Sequence, residues 1–340
     1  MRYSEALEQA VKEIKEDLPG MKLLENEPMS EHTSFKIGGS VRAIAVPSDI
    51  FSLSRICVRL QMNGVAPFFL GNGTNILIPD EGLNIFVIST EKLQKMFLQE
   101  DGCIYAEAGV PLGTLSQFAQ QNGLSGLEFA SGIPGTVGGA ILMNAGAYGG
   151  EMKDVVRSVV SLYLPDQALY ELPAEKCGFA YRHSIFEDGR SLIAAAVFQL
   201  QPGNPEEIQA KMRDLNTRRR EKQPLNLPSA GSAFKRPADG HASALIDKAG
   251  LRGFSVGGAQ VSEKHAGFVV NTGTATYEDV VALLKEVRKV VQEKFHVVLD
   301  PEIRIYPHNM VLLDDAINQS AKDIHKAVEE MKTRMRGEDA

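Results

Sequence analysis

Apolar residues at helical spacing open the chain. Tyr3, Leu7, Ala10, Val11, Ile14 and Leu18 predict a helix over 3–18, stopped by Pro19-Gly20. A short strand is expected over 41–46. Asp49 then caps a helix over 50–63 with Leu53, Ile56, Cys57 and Leu60 on one face, and Gly64 ends it. Apolar runs predict strands at 67–70, 85–89 and 103–108. Pro111 takes the first position of a helix that Gly123 closes, with Leu112, Leu115, Phe118 and Ala119 inward. Strands are expected at 155–164 and 191–200. A helix over 205–220 has Ile208, Met212 and Leu215 inward. A short helix at 244–249, a strand at Val269-Val270, a long helix over 277–295 and a strand at 297–299 complete the pattern. Helices and strands mix along the whole length.

Two stretches break this periodicity. Residues 130–150 contain seven glycines in 21 positions, yet Ile133, Val137, Ala140, Ile141, Leu142 and Met143 between them are apolar. A solvated loop would be polar. Glycine lets backbone approach a ligand closely, and Gly135-Thr136-Val137-Gly138-Gly139 can expose consecutive amides to an anion. The second stretch, Gly71-Asn72-Gly73-Thr74-Asn75, follows a buried strand directly. It lacks the Gly-Lys-Ser/Thr of a P-loop and the spacing of the dinucleotide fingerprint. Two anion-friendly loops beside apolar strands suggest one extended ligand held at two places.

Composition narrows the class. The 340 residues suffice for two or three domains, and a net charge of −7 argues against a general nucleic-acid binder. Cys57, Cys103 and Cys177 lack metal-like or redox-like spacing and fit free thiols; no metal site is expected. No apolar run is long enough for a membrane span, and the N-terminus lacks a signal-peptide core, so a cytoplasmic location is expected.

Candidate chemistry sits elsewhere. Tyr181-Arg182-His183-Ser184 is flanked by apolar residues and reads either as a structural turn or as a site. Arg218-Arg219-Arg220 reads as a solvated, cation-favouring helix end or as a domain boundary. Gly231-Ser232 places a hydroxyl where backbone can come close, beside Lys235-Arg236. Glu302 lies in an extended apolar context.

Taken together, H-T-S-F-K-I-G-G, G-N-G-T-N, G-I-P-G-T-V-G-G-A-I-L-M-N-A-G-A-Y-G, Y-R-H-S, G-S-A-F-K-R-P and D-P-E-I-R resemble the UDP-N-acetylenolpyruvoylglucosamine reductase family of bacterial peptidoglycan synthesis. They fall in the family's order across roughly residues 30–306. The resemblance implies an FAD-binding fold of the vanillyl-alcohol-oxidase (PCMH) type. Subdomains at 1–95 and 96–220 would clasp FAD, and a C-terminal α+β substrate domain at 221–307 would close over it. Residues 308–340 would form a helical extension.

By the same resemblance the diphosphate of non-covalent FAD would rest on Gly71, Asn72, Gly73, Thr74 and Asn75, and on Gly132, Ile133, Pro134, Gly135, Thr136, Gly138 and Gly139. Asn144 and Gly146 would complete that site. NADPH would reduce the flavin and leave, and UDP-N-acetylglucosamine enolpyruvate would take its place. Hydride would pass to the β-carbon of the enolpyruvyl group and a proton to C2. Arg182 and Glu302 would stabilise the charge developing on the carboxylate, and Ser232 would donate the proton. Tyr181, Lys235, Gln260 and Lys264 would hold the UDP-sugar.

The chain departs from the family pattern in two ways. Arg236 stands where Asn is usual, which puts a side-chain contact there in doubt. Arg182 and Ser232 are only 50 residues apart (232 − 182), which fits the subtype lacking a substrate-covering loop with its tyrosine. Two other readings stand beside this one: another FAD-dependent oxidoreductase or oxidase of the same fold acting on a small alcohol or sugar, and a non-catalytic nucleotide-sugar binder. Beyond the resemblance, Ile317, Ala321, Ile324, Val328, Met331 and Met335 form a heptad-like stripe. It reads as a helix packed on its own protein or as a self-association surface.

Overall fold

The computed structural model describes residues 3–238 and 240–306. The first sheet has the order Lys22–Pro28, Ser40–Val46, Leu83–Ser89, Pro67–Leu70; its first pair is antiparallel and the other two are parallel. Helices Tyr3–Asp17 and Ile50–Met62 cover one face. Leu7, Val11 and Ile14 of one and Leu53, Ile56 and Leu60 of the other share a core with Ala43, Ala45, Phe86 and Ile88. The second helix starts where the sequence says it should: Asp49 accepts from the Ser52 amide in a reciprocal capping box.

The second sheet is fully antiparallel: Ala168–Pro173, Val156–Tyr163, Ser191–Phe198, Ile104–Glu107, Met96–Leu98. Every residue of its central strand, S-L-I-A-A-A-V-F, is buried, so that strand reads as a continuous apolar run rather than an alternation. Helix Leu112–Gln121 adds Leu112, Leu115 and Ala119 to this core. The third sheet, Ser229–Ser232, Phe268–Asn271, Ala259–Val261, Ser255–Val256, packs with helices Ala242–Lys248 and Tyr277–Phe295. Val280, Leu284, Val287 and Val291 of the long helix face it.

Long-range connections tie the end of the described chain back to its first part. After the long helix the chain returns to the first sheet's territory. Arg304–Ile305 pairs in parallel with Ile76–Leu77, immediately after the 71–75 loop.

Several expectations need correction. Residues 297–299 are not a strand; Val298 is exposed and the chain runs irregularly there. Pro111 caps its helix from outside, with Leu112 the first helical residue. The longest strands without a sequence signal are two edge strands, Lys22–Pro28 and Ala168–Pro173. The 317–335 stripe lies outside the described residues. Among those residues no helix is long and apolar enough to cross a membrane, and no cluster of three His, Cys, Asp or Glu could hold a metal. Burial pushes the Cys57 and Cys177 thiols up to about 12, so neither is a ready nucleophile.

Asp188 is a local cost to the fold. Its Oδ1 accepts from the Arg190 amide, but its buried Oδ2 has no partner, and burial pushes the carboxyl up to about 6. As pH rises from the ordinary carboxylate range toward that value, the unfolded chain has already lost the proton and the folded chain still holds it. Stability therefore falls with rising pH across that window. Asp188→Asn keeps one acceptor and removes the charge. It should raise Tm at pH 8, with the gain shrinking to nothing below about pH 4 in a calorimetric pH series.

Candidate functional site

The 71–75 loop is shaped by contacts that only glycine permits. Gly73 has φ +59, and a Cβ on it would fall 2.1 Å from the His32 carbonyl oxygen. The Ser34 amide donates to the Gly73 carbonyl at 3.0 Å, binding the loop to the Thr33–Ile37 segment. A Cβ on Gly71 would lie 2.6 Å from Thr136 Oγ1, and Asn72 Nδ2 donates to the Pro134 carbonyl at 3.1 Å. The two glycine-rich stretches, distant in sequence, are thus neighbours.

The second stretch differs from its expectation. Thr136 caps a short helix, Val137–Leu142. The amides of Val137 and Gly138 are spent on the Val110 and Ala108 carbonyls at 2.9 and 2.8 Å. The run of exposed amides is therefore shorter than the glycine pattern suggested. Gly138 serves packing: a Cβ there would meet Ala108 Cβ at 3.0 Å. Gly132 also serves approach, because a Cβ would meet Asn216 Oδ1 at 2.3 Å. Its absence lets the end of helix Pro205–Lys222 come against the loop.

Between the loops lies a cavity of about 770 Å³. Its lining includes Gly71, Asn72, Gly73, Thr74 and Asn75, and Gly132, Ile133, Pro134, Gly135, Thr136, Gly139 and Gly146. Arg182, Ser232 and Glu302 line it as well. Gly138, Asn144, Tyr181, Lys235, Gln260 and Lys264 do not.

Those six have identifiable work. Asn144 is fully buried; its Nδ2 donates to Glu151 Oε2 and to the Ala180 carbonyl, and its Oδ1 accepts from the Lys153 amide. Its side chain therefore holds the 180–183 turn rather than facing the cavity. Tyr181 is exposed, and its hydroxyl accepts from the Arg236 amide at 3.1 Å. Gln260 Nε2 is engaged by the Gly253 carbonyl and Ser255 Oγ, and Lys264 Nζ donates to the Arg220 carbonyl. Lys235 lies close enough for its charge to act on Glu302.

The three candidate catalytic residues come from three segments. Arg182 sits at φ +55 in a turn closed by the Ala180–His183 bridge. Its Nε donates to Glu302 Oε1 at 2.5 Å, and its Nη2 donates to the Gly146 carbonyl at 3.3 Å. Glu302 is placed from both neighbouring units: its amide donates to the Ala233 carbonyl, and its carbonyl accepts from Asn75 Nδ2. Burial raises the Glu302 carboxyl above its ordinary range, against the opposing pull of Arg182 and Lys235. Ser232 ends the strand Ser229–Ser232, opposite Phe268 and next to Ala233, which Glu302 contacts.

Two cavity residues escaped the sequence reading. Arg219 belongs to the triplet read as a solvated end. Its guanidinium lies 5.9 Å from the Tyr148 ring centroid, its Nε has no hydrogen-bond partner, and burial lowers its pKa. The signal was present, because 208, 212, 215 and 219 step by 4, 3 and 4 and place Arg219 on the buried face. Arg304 closes the D-P-E-I-R motif but received no role. It lines the cavity and donates from Nη1 to Glu187 Oε1 at 2.8 Å.

A desolvated cation and the buried, unpartnered Thr136 Oγ1 both line this cavity. Buried polar groups left unpaired are costly, so both call for a polar ligand, and the cation calls for an anionic one. Set between two glycine loops, this donor set fits the diphosphate of a dinucleotide cofactor, and the volume lies within the range of small-molecule sites.

Comparison with known proteins points the same way. A family model described as an FAD binding domain matches residues 41–168. Another, described as the C-terminal domain of UDP-N-acetylenolpyruvoylglucosamine reductase, matches 223–306. The chain is 49% identical over 295 residues to the UDP-N-acetylenolpyruvoylglucosamine reductase of Caldanaerobacter subterraneus subsp. tengcongensis, covering 87% of this chain and 97% of that protein. It is 44% identical to the Syntrophomonas wolfei protein of the same name, covering 86% and 98%. Among solved structures, the UDP-N-acetylenolpyruvylglucosamine reductase of Thermus caldophilus is similar with a TM-score of 0.72 at 33% identity, covering 84% of this chain and 99% of that one.

Proposed function

The chain belongs to the UDP-N-acetylenolpyruvoylglucosamine reductase family, and from that premise we infer that Arg182, Ser232 and Glu302 carry its chemistry. The protein is an FAD-dependent, NADPH-linked oxidoreductase on the α+β FAD-binding fold of the vanillyl-alcohol-oxidase type. It reduces UDP-N-acetylglucosamine enolpyruvate to UDP-N-acetylmuramate in peptidoglycan precursor synthesis. The observation that supports the residue roles is the convergence of an ion-paired Arg182–Glu302 couple and Ser232 on the cavity that both glycine loops line.

FAD, when bound, supplies the two-electron relay, taking hydride from NADPH and giving it to the β-carbon of the enolpyruvyl group. The chain's residues manage charge and the proton. As hydride adds, negative charge collects at C2 and spreads onto the substrate carboxylate. Arg182, already oriented by Glu302 and the Gly146 carbonyl, meets that carboxylate with a cation that needs no reorganisation. Ser232 Oγ gives its proton to C2. A serine hydroxyl is a weak acid, and Lys235, whose charge reaches this site at Glu302, is assigned to stabilise the alkoxide left behind until solvent returns a proton. Tyr181, Gln260 and Lys264 make contacts within the protein and are left out of the binding set. Arg219 and Thr136 are assigned to the cofactor diphosphate. On this reading residues 1–95 and 96–220 hold the cofactor and 221–307 bring the substrate to it.

A single titration tests the reductase reading. The purified protein should be yellow. Anaerobic NADPH should bleach the flavin band, and the UDP-enolpyruvyl sugar should restore it stoichiometrically. A reduced flavin that ignores the sugar and reoxidises at once with oxygen would instead favour an oxidase of the same fold.

A further inference from the structure

Two ion pairs join the same two segments, with charges reversed. Arg182 and Glu187 come from the turn and the 3-10 segment Ile185–Asp188; Glu302 precedes the last strand and Arg304 begins it. Arg182 pairs with Glu302, and Arg304 pairs with Glu187 at 2.8 Å. Arg182, Glu302 and Arg304 all line the cavity, whereas Glu187 stands behind it. The Glu187 carboxylate is fixed from its other side by His183 Nδ1, 2.6 Å from Oε2. Arg304 is further held by its Nε donating to the Tyr306 hydroxyl at 3.3 Å, and by its amide donating to the Asn75 carbonyl.

This arrangement leaves Arg182 and Arg304 lining a cavity whose one lining carboxylate, among the described residues, is Glu302. Arg304 is two residues from Glu302, and both face the same cavity. A buried guanidinium without a counter-charge seeks the nearest carboxylate, because leaving it unpaired is costly. Among the described residues lining the cavity with Arg304, Glu302 is the one carboxylate. We propose that Glu187 is a positioning residue for substrate reduction: by neutralising Arg304 it keeps that cation from capturing Glu302, so Glu302 stays on Arg182. Glu187 itself does not line the cavity. The proposal rests on the reductase reading above.

Glu187→Gln keeps the side chain's size and one acceptor oxygen but loses the charge. Glu187→Asp keeps the charge and loses a methylene. A packing role would be better served by Gln, a charge-balancing role by Asp. In anaerobic stopped-flow with the holoenzymes, both variants should keep the parent's flavin content and be reduced by NADPH within about twofold of the parent. Reoxidation by the UDP-enolpyruvyl sugar should slow about tenfold or more in Glu187→Gln, and the Asp variant should be several-fold faster than the Gln variant. Adding Arg304→Gln to Glu187→Gln should restore several-fold of the lost reoxidation rate, because it removes the cation that captures Glu302. Parental reoxidation rates in Glu187→Gln, or Gln faster than Asp, would overturn the proposal while leaving the reductase reading intact. A parent enzyme that the sugar does not reoxidise would overturn both.

Discussion

Ser232→Ala should leave flavin reduction by NADPH within about twofold of the parent and slow reoxidation by the UDP-enolpyruvyl sugar by about a thousandfold or more, within the range attributed to positioned general acids. The asymmetry follows from where the hydroxyl lies. Ser232 ends a strand opposite Phe268, after Gly231 at φ +77, and none of these backbone features depends on the Oγ. Alanine fits the same backbone, so the cavity and its glycine loops should survive. What disappears is the proton for C2. Arg182, oriented by Glu302, would still gather the charge that forms as hydride adds, but with nothing to quench it the step would run backwards as readily as forwards. Anaerobic stopped-flow separates the halves, and a solvent exchange experiment adds a second view, since slow protonation should let label at the β-carbon wash back. Reoxidation of the variant at the parental rate would remove Ser232 from the mechanism.

The sequence exposed the local parts of this site and hid the parts made by folding. Glycine density at 71–75 and 130–150 marked the two loops because positive φ and close backbone approach leave a compositional trace. Ser232 and Glu302 became candidates only jointly, through the order of several motifs; each alone would pass for an ordinary surface residue. The spent amides of Val137 and Gly138 were illegible, because their acceptors, Val110 and Ala108, are set by a strand and turn almost 30 residues earlier. Arg219 was half legible: its helical register pointed inward, but composition made the triplet look solvated. The edge strands Lys22–Pro28 and Ala168–Pro173 were missed for a related reason. Each has one partner strand and exposed positions, so its apolar alternation is weak. Glu187 carried no signal at all, since its meaning depends on Arg304 arriving from the far end of the chain.

Gly73→Ala should yield a protein with little bound flavin. Left-handed backbone at φ +59 costs an alanine about 1–2 kcal/mol, which a folded protein can often carry. The larger difficulty is contact. The new methyl would lie 2.1 Å from the His32 carbonyl oxygen and 3.1 Å from Thr33 Cα, and these are backbone atoms that no rotamer change can move. Either the His32–Thr33 segment or the loop must shift. A shift of the loop moves Gly71 off Thr136 and opens the cradle where the cofactor diphosphate is assigned. It also pulls on Asn75, which holds the Glu302 carbonyl through Nδ2 and the Arg304 amide through its own carbonyl. One methyl would thus disturb cofactor binding and the catalytic carboxylate together. Gly102→Ala is the matched control: Gly102 has φ +82, but a Cβ there meets nothing within 4 Å. It should lose a little stability and keep its flavin. The ratio of flavin to protein absorbance after gel filtration reads both variants, with Tm as the check on folding. A Gly73→Ala protein that retains flavin at the parental ratio would show that the loop yields without losing its ligand, and that the diphosphate is gripped elsewhere.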